Sequence, residues 1–359
     1  MTRRAFPGRR SLLHGHRRIL QPTRTTLLLL LLPGLLAACV QRTLETEYQV
    51  AQGGSWKTLA PMPTPRSEVA AAALGNRIYV AGGISPSPRV VDAFEVYDVA
   101  SNRWEKLAAL PEPVHHVGAA ALNGKVYIIG GFGGSLLSWQ PKDHVWEYDP
   151  SAGRWRDRAR LPTPRGALAA AVLQGRIYAI GGKGAKLLGV VERYDPVTDQ
   201  WETVRVLSVP REHLAAAVAA GKIYVIGGRS AFLMWTHQDN EAYDPRTNLW
   251  ERQAPLPTGR SGLAAAVLRG RIHVFGGETH FWTFDRNEEY DPRADTWSLR
   301  APMATGRHGL AAVTVGQSIY VLGGGTQPGW MFWTASGLNA AYSKQGRTPA
   351  GSPDGGERR

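Results

Sequence analysis

LAAAVLQGRIYAIGGKGAKLLGVVERYDPVTDQWETVRV, residues 168–206, holds the organisation of the whole chain. It opens on the alanine-rich run Leu168–Leu173, turns at Gln174 and Gly175, and continues through Arg176–Ile180 to the pair Gly181-Gly182. A loop leads to Val190–Asp195, Pro196 closes a turn, and Trp201–Val206 ends the unit. Short apolar runs bounded by glycine, proline and polar turn residues read as strands, here four of them, A to D. Alanine's helix propensity argues the other way for strand A. The run is too short between its turns, and innermost strands crowded around an axis require small side chains.

Working outward, the same unit recurs six times across the 359 residues. Gly-Gly pairs begin at Gly82, Gly130, Gly181, Gly227, Gly276 and Gly323, each 26 residues after a tryptophan: Trp56, Trp104, Trp155, Trp201, Trp250 and Trp297. Tyr79, Tyr127, Tyr178, Tyr224, His273 and Tyr320 stand three residues before the pairs. Tyr-Asp begins at Tyr97, Tyr148, Tyr194, Tyr243 and Tyr290, seven residues before the next tryptophan. Fixed self-similarity at this period is the signature of a repeat architecture. Repeats of 46 to 51 residues with diglycine, Tyr-Asp and Trp landmarks resemble the kelch repeat over residues 55–343. That resemblance implies an all-β fold, a six-bladed kelch-type β-propeller with four antiparallel strands per blade. The first strand A is preceded by a D-like segment at Trp56–Ala60, and the last unit stops after a C strand near Tyr342. The N-terminal outer strand is therefore expected to close the ring and remove its open edges.

Length varies only between Gly-Gly and Tyr, where 13, 16, 11, 14, 12 and 17 residues intervene. These are the B–C loops, and alternating strand direction puts them on one face with the D–A connections. Variable loops on a rigid scaffold are the usual place for binding. Six of the twelve tryptophans are landmarks, and the other six, Trp139, Trp146, Trp235, Trp282, Trp330 and Trp333, lie in these loops. Trp146 is expected to pack, two residues before Tyr148 on the same strand face. The other five are expected to offer contact surface. Ten residues after the landmark Trp stand Arg66, Arg165, Arg211, Arg260 and Arg307, replaced in the second unit by Val114 with His115 and His116 following. Such a ring could present guanidinium donors to a carboxylate or other anion, beside indoles that stack on sugars or apolar side chains. Alternatively, each Arg bonds carbonyls and acids of an adjacent blade.

No phosphate loop, nucleophile elbow or His-Glu-x-x-His motif is present. His115, His116, His213, His237, His280 and His308 could meet near the mouth. Adjacent histidines on extended backbone point apart and no ligand spacing recurs, so neither a metal nor another cofactor is expected. The expected function is recognition of a protein, peptide or glycan on the B–C and D–A face. The alternative is a sugar-acid epimerase or mutarotase, since exported six-unit kelch propellers are similar to the N-acetylneuraminate epimerases; Arg211, Glu212 and His213 would then be the catalytic candidates.

The termini read as an address and a tail. Residues 1–26 carry seven arginines and no acids, ahead of the leucine run Leu27–Leu32. A basic, then apolar, then small-residue order is that of a secretory signal, here residues 1–38. The apolar stretch is too short to span a bilayer stably. Leu36-Ala37-Ala38-Cys39 resembles the lipobox of bacterial lipoproteins, which implies lipidation of Cys39, a tether over residues 39–54, and a membrane as partner. Val40 after the cysteine favours the outer membrane, facing the periplasm, by the same resemblance. Removing residues 1–38 leaves 35 basic residues against 29 acids, so the net charge falls from +13 to +6 and gives no strong claim on nucleic acid. Cys39 is the one cysteine, so no internal disulfide is possible. Residues 344–359 contain little to bury and are expected to be disordered.

Overall fold

The computed structural model describes residues 53–135, 138–231, 235–329 and 333–344. The expected signal segment, Cys39, the expected tail from residue 345 onward and Trp330 lie outside the described residues. Six four-stranded antiparallel sheets are arranged as blades around an axis, with one sequence unit per blade. In the third blade the strands are Ala169–Leu173, Arg176–Ile180, Val191–Asp195 and Gln200–Thr203, within a few residues of the reading above. Among the described residues no helix is long and apolar enough to cross a membrane.

The ring closes as the sequence implies. Ser55–Thr58 is the outer strand of the blade that contains Ala311–Val315, Ser318–Leu322 and Asn339–Ser343, with Trp56 opposite Tyr342. Apolar clusters fill the spaces between neighbouring blades; one joins Ala171, Tyr178 and Val191 to Ile223, Val225 and Tyr243. Each landmark indole donates Nε1–H to a carbonyl of the preceding blade, as Trp201 does to Ala159 (2.8 Å) and Trp56 to Ala301 across the closure (2.9 Å). A large ring buried with its polar tip bonded is the stable way to place tryptophan at such an interface.

The diglycines have a specific reason. In each pair the first glycine has φ near 60° and the second near 100°, both in the region glycine tolerates. The second also donates its N–H to the next blade, Gly83 to Val114 O (2.8 Å) and Gly324 to Arg66 O (2.9 Å), so the backbones touch all the way round. A Cβ on Gly82 would stand 2.3 Å from Val114 O, and any side chain there would force the blades apart. The longer loops add structure of their own: Phe132–Ser135 pairs with Ser138–Pro141, and Arg229–Ala231 with Trp235–Thr236.

Candidate functional site

The five repeat arginines are on the expected face but do not line the mouth. All are fully buried, and their guanidinium groups turn into their own blades. Arg165 donates to Glu192 (2.6 Å) and to the carbonyls of Thr163, Ala179 and Gly181. Arg66 pairs with Glu95 (2.7 Å), Arg211 with Glu241 (2.5 Å) and Arg260 with Glu288. A buried guanidinium needs an acid and carbonyls to replace its water, and strand C supplies both. The anion-binding ring is therefore corrected to a set of internal struts, each held within its own blade rather than by an adjacent one. Where Val114 replaces the arginine, Trp146 stands in the place of the glutamate, so both partners are apolar together and Trp146 is buried as expected. Arg307 has Ala340 in that place; its partners are Gly323 O (2.6 Å), Leu338 O and Met303 S, and burial lowers its pKa to about 10.

Two residues beyond each strut position the chain enters strand A through left-handed backbone. Glu68, His116, Ala167, His213, Gly262 and Gly309 occupy these positions, with φ between 53° and 63°. Five N–H···O bonds run around the axis, from His116 N to Glu68 O (3.1 Å) through to Gly309 N to Gly262 O (2.9 Å); Val69 N to Gly309 O (3.3 Å) completes the circle. This narrow throat encloses a cavity of about 80 Å³ between the six residues and a collar of Val69, Val117, Leu168, Leu214, Leu263 and Leu310. Left-handed backbone costs a residue with a Cβ roughly 1–2 kcal/mol. Glycine occupies two of the positions, whereas three carry Glu or His.

The residue before each throat position bridges to the one after Gly-Gly, which brings Glu212 beside Arg229, places Glu278 opposite Ser261, and sets His308 against Gly325. A buried polar cluster results. His116 Nε2 lies 3.0 Å from Glu68, and His308 Nδ1 lies 3.2 Å from Glu68 and 3.5 Å from Glu278. Arg229 reaches Glu212 (3.1 Å), Glu278 (3.1 Å) and His213 Nε2 (3.0 Å). Burial opposes charge on Glu68, but His116 and His308 outweigh it and hold its carboxyl well below the usual range. For His308 burial is outweighed by Glu278 and Glu68, and its pKa rises to about 9. Burial pushes His213 well down, helped by Arg229 and His116, and brings His115 to about 2, helped by His116. Glu68 thus stays ionised at neutral pH, beside a protonated His308 and a neutral His213.

His115 and His116 do not point apart. Positive φ at His116 turns its backbone out of the extended form, and the two rings share a hydrogen bond between their Nδ1 atoms. His213 and His308 join them, while His237 pairs with Asp239 on an outer loop (2.8 Å). Glu68, His116 and His213 can each place one ligand atom within 4.8 Å of the others, the one such grouping among the described residues, although no ligand spacing recurs in the sequence. Of the loop indoles, Trp139 packs on His115 and His116, with ring centroids 4.8 and 5.0 Å apart. Trp235 is 69% exposed, Trp282 58%, Phe281 64% and Trp333 38%. The catalytic trio expected from sequence is split: His213 lines the throat with Glu212 beside it (3.7 Å), but Arg211 turns away to Glu241, and Arg229 takes its place.

Profiles of kelch repeats match two adjoining stretches: the KLHDC2/KLHL20/DRC7 kelch-repeats domain over residues 49–208, and the kelch motif over residues 210–257. This chain is a kelch-repeat β-propeller. The solved structure of YjhT superposes on the propeller with a TM-score of 0.68, covering 79% of this chain and 96% of that one at 18% identity, a likeness of fold. No curated protein matches the sequence significantly. Within the kelch unit the throat position lies twelve residues after the landmark Trp and reads Glu, His, Ala, His, Gly, Gly around the ring. That mixture of glycine with ionisable residues at a single repeat position was the signal available. The near-invariant arginine two residues earlier is the stronger repeat signal, but repetition marks architecture and variation marks function.

Proposed function

We propose that this kelch propeller is a recognition module of the bacterial cell envelope, lipid-anchored through Cys39, that binds a protein, peptide or glycan on its B–C and D–A face. The observation that carries the reading is the set of exposed aromatic side chains on the B–C loops, Trp235, Phe281, Trp282 and Trp333. Indoles held in water by a rigid scaffold are costly unless they meet a partner, and aromatic residues are enriched in binding hot spots. The test is glycan- and peptide-array binding by the full chain and by Trp235→Ala and Trp282→Ala. Loss of about thirtyfold or more in affinity is expected for each, the lower bound of a hot-spot residue. Unchanged array binding in the double variant would remove the face from consideration. Anchoring is checked separately, by lipid labelling of the full chain that disappears in Cys39→Ser.

A second reading, a sugar-acid epimerase or mutarotase, is favoured by Glu212 and Arg229 standing together beside His213 of the throat. A carboxylate and a neutral imidazole beside a guanidinium are the groups that general acid–base chemistry on a sugar acid requires. Interconversion of sialic acid anomers, followed by NMR and abolished in Glu212→Gln, is the expected outcome under this reading; a rate equal to buffer rejects it.

A further inference from the structure

We propose that the throat binds one divalent first-row transition ion, zinc being the best fit to the ligands, through Glu68, His116 and His213. This goes beyond the recognition reading and does not depend on it. Two imidazoles and one carboxylate with an open fourth position form a ligand set that zinc takes at catalytic sites.

The hydrogen bonds prepare the site. The Nδ1 atoms of His115 and His116 share one hydrogen bond, and His116 Nε2 lies 3.0 Å from the Glu68 carboxylate. A proton bridges the two groups in the metal-free throat, and zinc would displace it from that 3.0 Å gap. The gap is close to the ligand–ligand edge of about 3.3 Å that a tetrahedron with zinc bonds of about 2.0 Å produces. His115 then acts as the outer partner that fixes ring orientation and tautomer, a role most metal-bound histidines require. The third ligand, His213, is 93% or more enclosed, and its Nδ1 has no hydrogen-bond partner. Coordination through that Nδ1 would leave the bond from Arg229 to His213 Nε2 in place, with Glu212 and Glu278 holding the guanidinium. On the far side the site is bounded by the apolar Val/Leu collar. Three of six axial positions also retain Glu or His in left-handed backbone where Gly262 and Gly309 meet the same geometry without strain.

The experiment uses the full chain, stripped with a chelator and titrated with zinc chloride against a chromophoric competitor, and with cobalt(II) to read coordination from its visible spectrum. One equivalent bound, with a tetrahedral cobalt spectrum, is expected. His213→Gly and Glu68→Gly place the residue of Gly262 at equivalent positions, so the throat backbone keeps its shape. Each should lower zinc affinity by about 100-fold or more, above the 10–100-fold typical of outer-sphere partners. Arg229→Gln should bind at least as tightly as the unaltered chain. Circular dichroism confirms the fold of every variant. No stoichiometric binding, or binding that survives in the Glu68→Gly/His213→Gly double variant, overturns the proposal.

Discussion

Ala167 is the cleanest residue in which to measure what the throat geometry costs. It sits at φ 53° with no side-chain polar group, between His116 and His213 in the ring of backbone bonds. Replacement by glycine relieves a left-handed Cβ at the expense of a looser unfolded chain, so Ala167→Gly should stabilise the protein by up to about 1 kcal/mol in urea unfolding. The reverse change at Gly309 has the opposite sign. Its Cβ would stand 2.5 Å from the Glu68 carboxyl carbon, so Gly309→Ala combines strain with displacement of a buried carboxylate, and a loss of about 2 kcal/mol or more is expected. Equal effects from the two substitutions would contradict the geometry. The residue scale also explains why the site was only half legible. Glu68, His213 and the His115-His116 pair could be read as chemistry-bearing types. Their convergence depended on a positive φ that nothing local dictated.

Within a blade, a strut is a strand-to-connection tie, and its energetics follow from burial. Arg165→Ala leaves Glu192 buried without its cation, which typically costs about 3–5 kcal/mol. The double change Arg165→Val/Glu192→Trp copies the Val114/Trp146 pair and removes both charges, so its loss should be clearly smaller than that of Arg165→Ala alone. A double variant as unstable as the single one would show that the pair contributes more than mutual neutralisation. Another element-scale tie is open to pH. Glu289, on the strand Asn287–Asp291, meets His273 (3.1 Å), Arg300 (2.7 Å) and Lys344 (3.1 Å). Burial works to raise its pKa, but the bonds from His273 and Arg300 prevail and hold it well below the usual carboxylate range. A depressed folded pKa means stability that is fully present above the unfolded value, about 4.3, and is lost as pH falls toward the folded one. Unfolding followed below pH 4.5 should therefore show the wild type losing up to about 1.4 kcal/mol per pH unit more than Glu289→Gln. Parallel pH profiles would remove Glu289 from that account.

At the scale of the whole molecule, closure depends on one short strand at the N-terminal side of the ring. Trp56 packs on Phe275 and Tyr342 and bonds Ala301 in the preceding blade. Trp56→Ala should cost about 3 kcal/mol, as for other large aromatics removed from packed sites, and amide exchange should rise first in the strands Asn339–Ser343 and Thr296–Arg300. Exchange that rises evenly in all six blades would count against a local seam. Periodicity sufficed for the blades, because the Trp, Gly-Gly and Tyr-Asp landmarks each answer to a need repeated in every unit: an interface to fill, a close backbone approach, a tight turn. The variable loops followed from the same count, as did the exposure of Trp235, Trp282 and Trp333, but not the packing of Trp139 on His115 and His116. The arginines were legible as a ring but not in direction, since a guanidinium turned into its blade and one turned toward the axis require the same spacing. Sequence alone thus determined six blades, their closure and the face that carries variation, all properties of contacts within a unit or between neighbours. Only the tertiary structure decided which side chains meet at the axis: residues nearly 50 apart come within bonding distance there because six left-handed turns converge, and such convergence leaves no trace in any single unit.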